Sequence, residues 1–192
     1  MPLWFEIAYT LFVAVIVVIW WRHYGPANFL WFSDIALIGA VPAMWLDNAA
    51  IASVLAVAVL IPELLWNVDY ALRLLLRQRI SGLTDYMFER ERPLKLRALS
   101  LFHVPLPLVL FWLLAEHGYA ERIALPGAML LAAIVLPWSR VAAPADKNIN
   151  WTHGLGSVRP GGSAAAYLVR LWLGFVVLVF LPTHVVLNHY FN

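Results

Sequence analysis

The sequence predicts an all-α integral membrane protein, a bundle of about six transmembrane helices with an interfacial segment between spans three and four. Three observations predict it. Hydrophobic residues fill 63% of the 192 positions and charged residues only 12%, about half the usual share of a soluble domain. The apolar residues fall in blocks of roughly 18 to 25, the length of helix that crosses a hydrocarbon core about 30 Å thick. Lys and Arg concentrate in alternate connections between those blocks, as membrane topology requires.

The first span is expected over residues 3–21, closed by Arg22 and a Tyr24-Gly25-Pro26 turn. It lacks a basic leader and carries Glu6 near its start, so it reads as a retained span and not as a cleaved signal. Further spans are expected over 27–46, 49–72, 98–115, 123–138 and 164–190. Between the third and fourth, residues 82–97 mix Leu83, Tyr86, Met87 and Phe88 with charges, which suits an interfacial helix or re-entrant piece on the headgroups. The segment 140–163 is too rich in Pro, Gly and Asn to cross. One domain, residues 1–192, accounts for the chain.

Placing the loops after spans one, three and five inside leaves only Arg122 outside, so both termini are expected on the non-cytoplasmic side of a cell inner (plasma) membrane. Trp4, Trp20, Trp21, Trp45 and Tyr167 then fit interfacial belts. The net charge of +2 belongs to topology, and no nucleic-acid partner is expected. With no cysteine, disulfides, thiolate metal sites and a Cys nucleophile are excluded.

Ionisable groups within spans cost about 2.5 to 3.5 kcal/mol each on insertion scales, so they pair inside the bundle or carry function. Counted from the expected cytoplasmic ends, Ser33 and Asp34, Glu63 and His103 share a depth of roughly 9 to 13 Å on three helices. Glu63 and Asn67 lie one turn apart on one face, as do Ser100 and His103 on another. Pro62, Pro105 and Pro107 each free a backbone carbonyl one turn earlier, His103's among them. Loosened backbone at this depth requires a protein or water cover, which predicts a polar cavity facing the cytoplasm. Asp146, Asn148, Asn150, Trp151, Thr152 and His153 are placed to lid it, with Asp85 nearby. Asp69 is expected to pair with Arg73 one turn on, and His184 and His189 to serve structure at the outer end.

Three functional classes fit this layer. In an intramembrane hydrolase or acyl-transfer enzyme, Ser33 is the nucleophile, His103 its general base, and Glu63 or Asp34 the group orienting the imidazole. Asn67, Asn148, Asn150 and His153 would then line the substrate, an apolar or lipid-like molecule. A metal enzyme would use His103, Glu63, Asp34 and His153 as ligands, although no His-rich spacing supports it and no metal is assigned. A non-catalytic subunit or lipid- or ion-binding protein, working with membrane lipids, as an oligomer or within a larger complex, would use the same acids. The residues also suit a buried network that fixes helix register. No cofactor is identified.

The motifs Leu30-Trp-Phe-Ser-Asp-Ile-Ala-Leu37, Glu63-Leu-Leu-Trp-Asn-Val-Asp-Tyr70, Leu83-Thr-Asp-Tyr-Met-Phe88, Leu99-Ser-Leu-Phe-His103, Asn148-Ile-Asn-Trp151 and Pro182-Thr-His184 resemble a family of uncharacterised bacterial multi-pass membrane proteins. That resemblance spans nearly the whole chain and implies no activity. The segments Asn28-Phe-Leu-Trp-Phe-Ser-Asp34 and Leu101 to Leu108 resemble the six-span androgen-induced-gene family, intramembrane hydrolases of fatty-acid esters with a Thr nucleophile and a His on separate spans. The resemblance implies catalysis by Ser33 and His103, with Ser33 standing where that family has Thr and with Pro105 and Pro107 departing from its pattern.

Overall fold

The computed structural model describes residues 1–155 and 162–192, and these are all-helical. Arg159, a basic residue of the loop expected on the inner side after the fifth span, lies outside the described residues. Five helices are long and apolar enough to cross a membrane: Leu3–Tyr24, Ala49–Leu76, Leu94–His117, Glu121–Ala142 and Ala164–Phe191.

Helix α1 (Leu3–Tyr24) buries Tyr9, Val13, Ile16 and Trp20, a stripe spaced four, three and four residues that gives it one inward face. Leu11, Val15, Val18 and Trp21 on its other side are exposed, as lipid contact would require. Gly25, at φ 81°, ends the helix in a conformation that costs a side-chain residue strain.

The expected second span is corrected. Residues 27–46 do not form one helix: a 3-10 turn, Pro26–Leu30, is followed by an extended Trp31 (φ −60°, ψ 135°), and α2 proper is Phe32–Trp45. Its 14 residues reach only about 21 Å, short of the hydrocarbon core. Pro26 starts the turn because its fixed φ suits a first helical position. Hydropathy cannot reveal the break, since Phe29, Leu30 and Trp31 are as apolar as a helix interior.

Helix α3 (Ala49–Leu76) starts at Asn48, whose side chain accepts the Ile51 N–H at 3.0 Å. It is the central helix, packing on α2, α5 (Leu106–His117) and α6 (Glu121–Ala142). Ala52, Ala56 and Ala58 are fully buried on it. Gly39 of α2 and Gly127 of α6 lie against α3, and the neighbouring Ala36, Ala40 and Ala43 of α2 and Ala124, Ala128 and Ala132 of α6 are fully buried. Small residues let helices approach closely where lipid offers no hydrophobic drive to association. A Cβ on Gly127 would overlap a methyl of Val54, and one on Gly39 would lie 2.9 Å from Leu55.

The fourth span begins at Leu94, four residues before the expected start, and has three parts: α4 (Leu94–Ser100), a 3-10 turn at Leu101–His103, and α5 (Leu106–His117). Pro105 and Pro107 remove two amide donors just beyond His103, which is why the α-helix gives way to the tighter turn there. The last span is likewise divided, α7 (Ala164–Phe175) passing through a π-turn at Val176–Phe180 into α8 (Leu181–Phe191). Pro182 is among the residues that follow that turn.

The connection between the third and fourth spans is an irregular strap with a single 3-10 turn, Asp85–Met87, where an interfacial helix was one expectation. Asp69 does not pair with Arg73. Its Oδ1 accepts from the Ser81 N–H and Oγ at 2.9 and 2.7 Å, and its Oδ2 from the Thr84 N–H and Oγ1 at 3.1 and 2.5 Å. Arg73 binds Asp85 instead, and Arg79 reaches the same carboxylate at 2.7 Å. A carboxylate at a helix end satisfies more donors from a returning loop than from one side chain on its own helix.

Candidate functional site

Glu63 sits on α3 one residue after Pro62, buried to 2% exposure. Its Oε2 lies 2.8 Å from His103 Nδ1. The imidazole is sandwiched: Trp66, also on α3, stacks on it with centroids 4.5 Å apart and planes at 20°, and Phe102 lies at 4.1 Å and 26°. Two flat neighbours and one hydrogen bond fix the ring in position and rotation. Among the described residues no protein group hydrogen-bonds His103 Nε2.

The carbonyl of His103, freed by Pro107 four residues on, is taken up by Asn67. The Asn67 Nδ2 donates to it at 2.7 Å and to the Glu63 carbonyl at 2.8 Å. Asn67 therefore clamps α3 to the 3-10 turn at the level of the Glu63–His103 contact, with its donors committed to backbone.

Asp34 lies in the first turn of α2, 3% exposed, and its Oδ2 accepts from Asn28 Nδ2 at 2.9 Å. Tyr9 donates to the Leu37 carbonyl at 3.0 Å. Ser33 is half-buried beside Asp34 and makes no hydrogen bond to His103. Of the four residues assigned catalysis from sequence, Glu63 and His103 touch, while Asp34 and Ser33 stand on the neighbouring helix α2 and bond to neither.

Tyr86 and Asn28 were not among the site residues read from sequence. Tyr86 accepts the Trp66 Nε1–H at 3.1 Å, joining the strap to the ring that stacks on His103. Burial pushes its phenol well above the usual tyrosine range, with the hydrogen bond from Trp66 acting the other way. Only its place in a polar-apolar loop hinted at this, because a loop side chain has no helical register to project inward. Arg92 lies over the rings of Tyr24 and Tyr86 at 5.8 and 5.2 Å, holding the strap against the end of α1.

The loop after α6 is tied down by side-chain hydrogen bonds. Asn150 is 2% exposed, its Nδ2 donating to the Leu30 carbonyl at 2.7 Å and to Ser139 Oγ at 3.2 Å while its Oδ1 accepts the Phe32 N–H at 3.2 Å. It thus satisfies the first amide of α2, one residue from Ser33. Asn148 closes its own loop, donating to the Gly154 carbonyl and accepting from the His153 N–H, both at 2.8 Å. Asn148 and Asn150 hold left-handed backbone (φ 40° and 51°), which asparagine tolerates better than most side chains. Both amides are committed within the protein, and His153 Nε2 is buried without a hydrogen-bond partner among the described residues.

Among the described residues no group of three His, Cys, Asp or Glu side chains is placed to hold a metal ion. A depression lined by Ala133, Ile134, Pro137, Trp138 and Val141 is apolar and open, and all its lining belongs to one side of α6. At the opposite end of the bundle a second polar group forms, where the Tyr119 hydroxyl and His184 Nδ1 are 2.6 Å apart and Ser53 Oγ accepts the Ala120 N–H at 2.9 Å.

Comparison with known protein families, curated proteins and solved structures finds no match to this chain.

Proposed function

We propose that this protein is a membrane-embedded hydrolase or acyl-transfer enzyme acting on an ester of a lipid-like substrate. The observation that supports this is the 2.8 Å contact between Glu63 Oε2 and His103 Nδ1, with Nε2 left to act. A carboxylate on Nδ1 holds the proton there, presents the Nε2 lone pair, and stabilises the imidazolium that forms when Nε2 takes a proton. Ser33 Oγ is the nucleophile. As it attacks the ester carbonyl its proton passes to His103 Nε2; collapse of the tetrahedral intermediate breaks the ester C–O bond, and the leaving alkoxide takes that proton. Water or a second alcohol then attacks the acyl-Ser33 ester by the same route in reverse. Contacts of this kind commonly tighten only when substrate binds. Tyr86, whose hydroxyl accepts from the Trp66 ring that stacks on His103, is a phenol O–H and a donor for the developing oxyanion.

The chain is read as crossing the inner membrane six times, with Pro26–Trp45 as the short second crossing and the arginine-rich end in the cytoplasm. The resemblance to the androgen-induced-gene hydrolases belongs to this reading, carried by Ser33 and His103.

A fluorophosphonate probe tests the proposal. Labelling of the native protein should vanish in Ser33→Ala and His103→Ala and slow about a hundredfold or more in Glu63→Gln, with thermal melting showing that each variant folds. An unlabelled native protein, or undiminished labelling of Ser33→Ala, rejects it. A second reading, a non-catalytic subunit whose polar layer sets helix register, is favoured by the Asn67 clamp; stoichiometric co-purification of partner proteins with an unlabelled chain supports that reading instead.

A further inference from the structure

Several arginines at this end of the bundle have acidic partners. Arg73 and Arg79 meet Asp85, and Arg92 Nε meets Glu89 at 3.0 Å. Arg97 is different. It is half-buried on α4, its Nη1 donates to the Met87 carbonyl at 3.2 Å, and among the described residues no carboxylate lies within ion-pair distance. Its Nε is buried and has no hydrogen-bond partner among the described residues. A guanidinium N–H withdrawn from water and left without an acceptor is an uncompensated cost, and its complement is an anionic oxygen.

The backbone supplies the second part of the argument. Arg97 and Ser100 are i and i+3 on α4, neighbours on one face. The tight 3-10 turn Leu101–His103 that follows keeps His103, three residues beyond Ser100, toward the same side of the chain. Arg97, Ser100 and His103 therefore form a column, with an axial rise of roughly 10 Å from first to last. The column runs inward from the polar strap to the imidazole. A glycerophospholipid has the same order along its length: a phosphate at the headgroup, a glycerol unit, then the acyl esters at the edge of the hydrocarbon.

We propose that Arg97 binds the phosphate of a glycerophospholipid, placing the lipid's acyl ester at the level of His103. The substrate class thus named rests on the hydrolase reading above; the phosphate contact does not. Arginine suits the role because its planar guanidinium holds several donors in a fixed fork that matches phosphate oxygens.

Native mass spectrometry of the purified full chain, loaded with phosphatidylglycerol, with a diacylglycerol of the same acyl chains, or with inorganic phosphate, tests this. The native protein should retain phosphatidylglycerol well above diacylglycerol. Arg97→Gln should lower that retention about tenfold with diacylglycerol unaffected, and Arg97→Lys, which keeps charge but not the fork, should fall between. Equal retention of the two lipids by the native protein overturns the proposal without recourse to any variant, as does unchanged retention in a folded Arg97→Gln. Displacement of phosphatidylglycerol by inorganic phosphate at matching concentration assigns Arg97 to free anions and overturns the lipid assignment. Arg97-dependent retention in a chain that no fluorophosphonate labels leaves the lipid site standing and removes only the hydrolase.

Discussion

His103 Nδ1 and Glu63 Oε2 lie 2.8 Å apart across two helices, inside a stack of aromatic rings. Either side chain alone would be a buried polar group without its partner. Glu63→Leu and His103→Leu should each destabilise the fold by about 3 kcal/mol, where the costs of breaking neutral and charged buried pairs meet. The double variant should recover part of that loss, because it leaves neither partner orphaned. Melting temperatures of all three in one detergent check this, and a double variant no better than the sum of the singles removes the coupling.

Asn67 joins two carbonyls, one of them stranded by proline. Asn67→Leu should cost about 1 to 3 kcal/mol, since the His103 carbonyl is left without a donor. Asn67→Gln should not restore stability, because the longer side chain cannot bridge two fixed acceptors. Any proton-transfer role of His103 should weaken in parallel, as the 3-10 turn that carries it is released.

Gly127 of α6 packs against Val54 of α3 so closely that a Cβ would collide with a valine methyl. Gly127→Ala should destabilise by about 1 to 3 kcal/mol through overpacking. Adding Val54→Ala should relieve most of it. Additive losses in the double variant would mean that the helices do not meet there.

Tyr119 predicts an alkaline transition. Burial, with the charge of Glu121 adding, pushes its phenol up to about 12 from an ordinary 10.0. An acid whose folded pKa is raised contributes stability in full below the unfolded value and loses it as pH climbs through the folded one. Stability should therefore hold to about pH 10 and fall toward pH 12, and Tyr119→Phe should remove that part of the fall. Thermal melts across the range, with ultraviolet titration of the phenolate, measure it.

The sequence by itself determined the helical class of the fold and the presence of helices long and apolar enough to cross a membrane. Runs of apolar residues set helix length and rise per residue sets position along each helix, so residue counts put Glu63 and His103, which do meet, at similar distances from their helix ends. Proline positions likewise showed that the His103 carbonyl would be free. Hydropathy did not resolve where helices break: the extended Trp31, the 3-10 turn at Leu101–His103 and the π-turn at Val176–Phe180 all lie in strongly apolar sequence.

Only the tertiary structure decided who meets whom. That Glu63 takes His103 while Asp34 takes Asn28, that Asp69 gathers the strap in preference to Arg73, and that Asn150 caps α2 from more than a hundred residues away depend on helix rotation and loop return. Rotation about a helix axis is set by which small residues, such as Gly39 and Gly127, face a neighbour. That is a property of the assembled interface, since in an apolar solvent nearly every face of an isolated span is equally well solvated.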